Sequence, residues 1–329
     1  MRLTSAFFTA GLVKKVWGKA DEMKVLDLLN PLDYTDFINR KRIERKTAQS
    51  MVNFNYVLGD NGLLELVYVL VFTPDVHPAD GAWVTNDVRT FTTLAATLPN
   101  LASEPDTDRI DFSQSAARLT GTLGILDLGL MYYYGFFREP VIELDSPLMP
   151  SSAAISYSRM HALGVEAAFV LKGFNIRLEG GVYLSEDSSG SDPYIHNHRA
   201  VYSAGFDRSL PAGLDFYLEM QGSVILGSDE ISGLFASLDT DYDADGDYTS
   251  NIFLTRLEGS YRNDKIRPQA VLVWNLEKRD WILRPGIELV LKDNISLEFT
   301  ASVFEGDGDT NFGQFDRNDF LQASFTYNF

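Results

Sequence analysis

The chain of 329 residues contains no cysteine. That excludes disulfide staples, thiolate metal sites and cysteine nucleophiles. It suits a protein that crosses an oxidising compartment before it folds. Long hydrophobic runs are also missing: nothing approaches the roughly 18–20 apolar residues of a membrane-spanning helix. The most apolar run of the first half, Leu66-Val67-Tyr68-Val69-Leu70-Val71-Phe72, has the length of a strand. Basic residues are scarce, 28 Lys and Arg against 46 Asp and Glu, and the net charge of −18 has the wrong sign for binding nucleic-acid phosphates. The acid is concentrated in segments read as loops, such as 239–247 and 305–309. There are four histidines; His196 and His198 could share a strand face but have no matching cluster. No Ser/His/Asp spacing, phosphate loop or metal motif stands out, so neither an enzyme nor a cofactor is expected. Residues 1–15 lack the apolar core and cleavage site of a secretory signal. They read as a strand instead, with the expectation that the chain starts late and that further strands precede it.

What is present is alternation. In the last ten residues Leu321, Ala323, Phe325, Tyr327 and Phe329 fall on one face, and Gln322, Ser324, Thr326 and Asn328 on the other. Successive strand side chains point to opposite faces, so this strand has an apolar and a polar side. Period-2 patterning bounded by turn residues predicts strands at about 3–17, 48–58, 63–73, 112–124, 126–137, 157–171, 174–185, 197–208, 213–227, 250–262, 266–276, 281–291, 294–304 and 319–329. Short turns (59–62, 172–173, 210–213, 263–265, 292–294) alternate with long connections (18–47, 74–111, 138–156, 186–196, 228–249, 305–318). The prediction is an all-β, transmembrane antiparallel β-barrel of about 14 strands, 16 in a longer parent chain, forming a single domain over 1–329. Alternation by itself does not say which face is outside. Strand number argues that the polar face lines a wet lumen, because a barrel this wide cannot be filled by side chains. Tyr132, Tyr134, Phe136, Trp274, Trp281, Tyr327 and Phe329 lie where interfacial aromatics would.

The stretch from Trp17 to Tyr34 breaks the alternation and reads as a short helix ending at Asn30-Pro31. It contains Trp17-Gly18-Lys19-Ala20-Asp21 and Asp27-Leu28-Leu29-Asn30-Pro31-Leu32-Asp33-Tyr34, and Gly306-Asp307-Gly308-Asp309-Thr310-Asn311-Phe312-Gly313 precedes the last strand. On these motifs the chain resembles a porin-like family of Gram-negative outer-membrane barrels. The terminal strand, with Phe325, Tyr327 and Phe329, resembles the C-terminal assembly signature of such barrels. The resemblance implies a porin-type barrel in the outer membrane, an early loop (18–47) folded into the lumen, and contact with the barrel-assembly machinery. It implies no substrate.

Arg40, Lys41, Arg42, Arg45 and Lys46 form the densest basic run of an acidic chain. Inside a lumen they would make an anion-favouring constriction; alternatively they pair with lumen glutamates and only hold the loop in place. Arg177, Glu179, Glu219, Arg256, Glu258, Arg267, Arg284, Glu288 and Glu298 are predicted to face the lumen, as a wall lattice or as a solute track. Asp241, Asp243 and Asp245 match the start of a calcium loop, but Ile252 occupies the position of the bidentate Glu; a solvated acidic loop is the competing reading. Ala200, Ala204 and Gly259 on the apolar face are candidate contacts in a homo-oligomer. The expected function is passage of small hydrophilic solutes across the lipid of an outer membrane, anionic ones being favoured on the constriction reading of the basic run. The alternative is a non-conducting adhesin, receptor or scaffold working through its acidic loops.

Overall fold

The computed structural model of the protein describes residues 5–97 and 105–328. Its strands are β1 (Ala6–Val13), β2 (Gln49–Leu58), β3 (Gly62–Val69), β4 (Gln114–Leu123), β5 (Leu126–Phe136), β6 (Val141–Leu144), β7 (Ala153–Ser156), β8 (Arg159–Leu171), β9 (Phe174–Ser185), β10 (Arg199–Leu210), β11 (Leu214–Ile225), β12 (Thr249–Gly259), β13 (Ile266–Asn275), β14 (Trp281–Lys292), β15 (Ile295–Glu305) and β16 (Phe320–Tyr327). Two helices, α1 (Arg42–Arg45) and α2 (Asn86–Thr97), lie in the long connections. Fourteen strands form one antiparallel sheet in sequence order, while β6 and β7 make a separate hairpin. Tight turns set the register. At the β8–β9 turn Lys172 and Gly173 both have positive φ, 51° and 82°, the geometry that matches the twist of a two-residue hairpin.

The register sorts the side chains onto two faces. Leu128 pairs with Ala167, Leu130 with Val165 and Tyr132 with Leu163 on one face; Arg267 pairs with Glu288 and Glu288 with Glu298 on the other. The second face is the inner one. The segment 14–47 packs against it at Glu65 of β3, Glu179 of β9, Glu219 of β11, Arg256 of β12 and Arg284 of β14, so the sheet curls around this segment. Glu219 and Glu179 are 1% and 4% exposed there, whereas Leu130 and Val165 on the outer face are 57% and 56% exposed. Among the described residues no ladder joins β1 to β16, the two edges of the sheet.

The largest apolar cluster also lies on the inner face. Trp17, Val25, Leu26 and Leu29 pack against Met51, Val67, Val69, Met131, Tyr133, Phe137, Met160 and Ala162. Leu66 to Phe72 reads as continuously apolar for this reason, because β3 is covered on its inner side as well. A second cluster ties loops together: Trp83 lies 5.5–5.9 Å, centroid to centroid, from Phe37, Phe304, Phe315 and Phe320.

Three expectations need correction. Residues 17–30 are not helical; the amides of residues 20–23, 25 and 26 bond to glutamates of the wall, not to carbonyls four residues back. The first strand ends at Val13, because Lys15 and Trp17 turn inward to Glu65 and Asp27. The long connections 74–111 and 138–156 contain α2 and the β6–β7 hairpin, neither of which the period-2 pattern reveals. Residues 1–4, 98–104 and Phe329 of the predicted strands and loops lie outside the described residues.

Candidate functional site

The site is the segment 14–47 and the wall it touches. Asn30 closes its neck: the side-chain amide donates to the carbonyls of Val13 and Thr47, and its oxygen accepts from the Lys15 amide. The segment therefore leaves β1 and returns to β2 through one clamp. Glu179 accepts the amides of Ala20, Val25 and Leu26 at 2.7, 2.9 and 3.1 Å. Glu219 accepts those of Asp21, Glu22 and Met23 at 3.0, 3.0 and 2.9 Å, and the Tyr217 hydroxyl at 2.5 Å. Hydrogen bonds from several N–H donors to a carboxylate are charge-assisted and strong. Asp21 and Glu22 pair outward from the segment with Arg177 and Arg256 of the wall, at 3.5 and 3.8 Å. Gly18 has φ +87°, and a Cβ there would lie 2.2 Å from the Glu179 carboxylate, which accounts for glycine after Trp17.

The basic run divides into two groups. Lys46 is held by Asp27 at 2.6 Å with both side chains 1% exposed, and Arg40 by Asp33 at 2.9 Å. Their partners lie within the segment, not among the wall glutamates. Lys41 caps α1 and is exposed. Arg42 is 3.8 Å from Asp27. Arg45 has its guanidinium 5.3 Å from the centre of the Tyr34 ring, and among the described residues no carboxylate lies within 4 Å of it. Tyr34 in turn stacks on His77 at 5.0 Å.

The nine wall charges share the inner face. Arg177 bonds Asp207, Arg256 meets Glu258 at 3.1 Å, Arg267 meets Glu288 at 3.1 Å, and Gln269 donates to Glu298 at 3.2 Å. Arg284 donates to Ser302 and to the Ile38 carbonyl. Sequence patterning missed a further inner network, in which Lys15 and Arg118 converge on Glu65 and Arg118 also reaches Glu166 at 2.5 Å. Its only sequence signal is charge on the face opposite the leucines of β3, β4 and β8.

The three loop aspartates do not converge. Asp241 accepts from His196 at 2.9 Å and Arg199 at 3.1 Å. Burial pushes its carboxyl up, but the His196 hydrogen bond and both neighbouring charges outweigh this and hold it below the usual range. Asp243 and Asp245 both bind Lys278 at 2.8 Å. Among the described residues no group of three or more candidate ligands gathers for a metal ion. His198 accepts from the Ser185 amide. Phe136, expected at the membrane rim, is 3% exposed because Phe72 and Phe112 cover it. Gly259 is covered by Tyr261, Pro268 and Leu214 and cannot serve as a contact between copies; Ala204 stays exposed.

No family model matches the chain, and no curated protein matches it. Among solved structures it is similar to a BenF-like porin from Pseudomonas fluorescens Pf-5 (11% identity, 98% of this chain and 90% of that one, TM-score 0.35). It is also similar to the outer membrane channel DcaP of Acinetobacter baumannii (11%, 98% and 91%, 0.37) and to the Ralstonia pickettii toluene transporter TbuX (11%, 79% and 76%, 0.29).

Proposed function

We propose that this protein is an outer-membrane channel for small hydrophilic solutes, with an anion preference set by Arg42 and Arg45. The observation that carries the reading is the inverted placement of polarity. Leucines, valines and aromatics cover the outer face, while Glu65, Glu166, Glu179 and Glu219 are 1–7% exposed on the inner face. A sheet with this outer surface has far more exposed apolar area than water tolerates, and a lipid bilayer is the solvent that accepts it. Strands of this length, tilted as in membrane barrels, cross the roughly 25 Å apolar band of a bilayer. Such barrels belong to the outer membrane, so assembly through β16, with Phe325 and Tyr327 exposed, is part of the proposal. So is the likeness of the Trp17–Tyr34 and Gly306–Gly313 motifs to porin-type barrels.

The constriction follows from pairing. Of the five basic residues, Arg40 and Lys46 are engaged by carboxylates at 2.9 and 2.6 Å, and Lys41 stands exposed on α1. Arg42 is held more loosely, 3.8 Å from Asp27, and Arg45 has no carboxylate within 4 Å among the described residues; in our reading these two supply the charge that sets ion selectivity. Single-channel recording in a planar bilayer with a salt gradient tests this. Wild type should conduct with anion preference, and the pair R42E and R45E should reverse the sign of the reversal potential. A conducting barrel whose reversal potential ignores these changes refutes the constriction. A barrel that inserts and stays silent favours the non-conducting surface protein, whose inner space the Trp17 and Leu26 cluster would plug.

A further inference from the structure

We infer that Glu179 and Glu219 are positioning residues: two wall carboxylates that clamp residues 20–26 and thereby fix the position of Arg42 and Arg45. The argument begins with the amides. A non-helical run of chain carries N–H groups that water cannot reach once it is packed against a wall, and each needs an acceptor. Six of them, from residues 20–23, 25 and 26, converge on just two side chains. Neither glutamate has a Lys or Arg within ion-pair distance among the described residues, so the segment's amides, with the Tyr217 hydroxyl on Glu219, are the donors that each carboxylate accepts from.

The clamp is connected to the basic run through one residue. Asp27 directly follows Leu26, accepts the Trp17 amide at 3.1 Å and binds Lys46, the last residue of the run. Arg42 faces the same carboxylate. A displacement of 20–26 therefore moves Asp27, and with it the helix α1 that carries Arg42 and Arg45. Apolar packing of Trp17 and Leu26 would keep the segment inside without these bonds, but it does not fix orientation. Six directed hydrogen bonds do.

The selectivity arm rests on the channel reading above; the spectroscopic arm does not. E179Q and E219Q keep volume but replace a two-oxygen acceptor with one oxygen and an NH2 that opposes the loop amides. In the bilayer, the double variant should give larger and noisier conductance steps, with the reversal potential shifted toward zero, while E219D restores part of the wild-type behaviour. Because the chain has no cysteine, N39C and K292C give a unique spin-label pair in the refolded protein. The pair should report one narrow distance in the otherwise wild-type protein and a broadened distribution with E179Q and E219Q. A double variant that unfolds at lower denaturant but keeps the narrow distance and the wild-type reversal potential would reduce both glutamates to stability alone and overturn the inference. A silent wild type with a distance that broadens in the variant would refute the channel and leave the clamp standing.

Discussion

At the scale of the residue, close approach of backbone and carboxylate decides the most. Gly18 and Gly81 have nearly the same φ, +87° and +89°, but only Gly18 faces a neighbour, the Glu179 carboxylate 2.2 Å from where a Cβ would stand. The left-handed backbone costs a non-glycine residue about 1–3 kcal/mol at either site. G18A should therefore destabilise by more than G81A in urea unfolding, because it also displaces Glu179 from three amides. Equal effects would mean that the carboxylate gives way freely. Asp187 supplies a pH test outside the sheet. The Ser189 hydroxyl, chiefly, with the Asp192 and Ser189 amides, pulls its carboxyl from 3.8 to about 2. A depressed folded value means that this stabilisation is complete above the unfolded value and is lost as pH falls through the folded one. The connection 186–196 should then keep its order at mildly acid pH and loosen only between about pH 4 and 2. Carboxyl-carbon NMR titration of Asp187 checks it; a midpoint near the ordinary value removes the proposed bonds.

At the scale of the element, the long connections act as structure. Trp83 follows β3 in the chain yet packs on Phe304 of β15, Phe320 of β16 and Phe315 between them. Asn318 donates to the Ala82 carbonyl, and Asn86 donates to Gly308. These contacts join the first strands to the last where, among the described residues, no ladder does. The motif Gly306–Gly313 serves this clasp: the Phe312 amide bonds Asp280, and a Cβ on Gly313 would lie 2.2 Å from the Asp307 carbonyl. W83A should speed amide exchange in 74–86 and 306–318 together, because aromatic pairs are worth about 0.5–1.5 kcal/mol each. It should leave β8 to β12 unchanged. Exchange confined to 74–86 would show that the clasp does not couple the two edges.

At the scale of the whole molecule, the question is which face meets solvent and which meets lipid. Val165 is 56% exposed on the outer face of β8. V165R should cost about 2–4 kcal/mol of folding into lipid vesicles if that face lies at bilayer depth, and nearly nothing if it faces water. The sequence by itself determined the fourteen strands of the large sheet, their order and their pairing, because period-2 patterning and tight turns are local. Alternation likewise predicts a charged and an apolar face for each strand, since it needs no third dimension. Alternation alone did not determine which side was inside, which took the strand number as well, and the pattern did not determine the course of residues 17–30, whose helical reading failed. The acceptors for that segment, Glu179 and Glu219, lie more than 150 residues away in the chain. Only the curled sheet brings them to the amides of 20–26, and only there do Asp27 and Lys46 become a buried pair, while Arg45 has no carboxylate within 4 Å among the described residues. The division of the basic run into closely paired and loosely held cations is a property of that enclosure, because burial and partner distance decide it and neither is written in residue order.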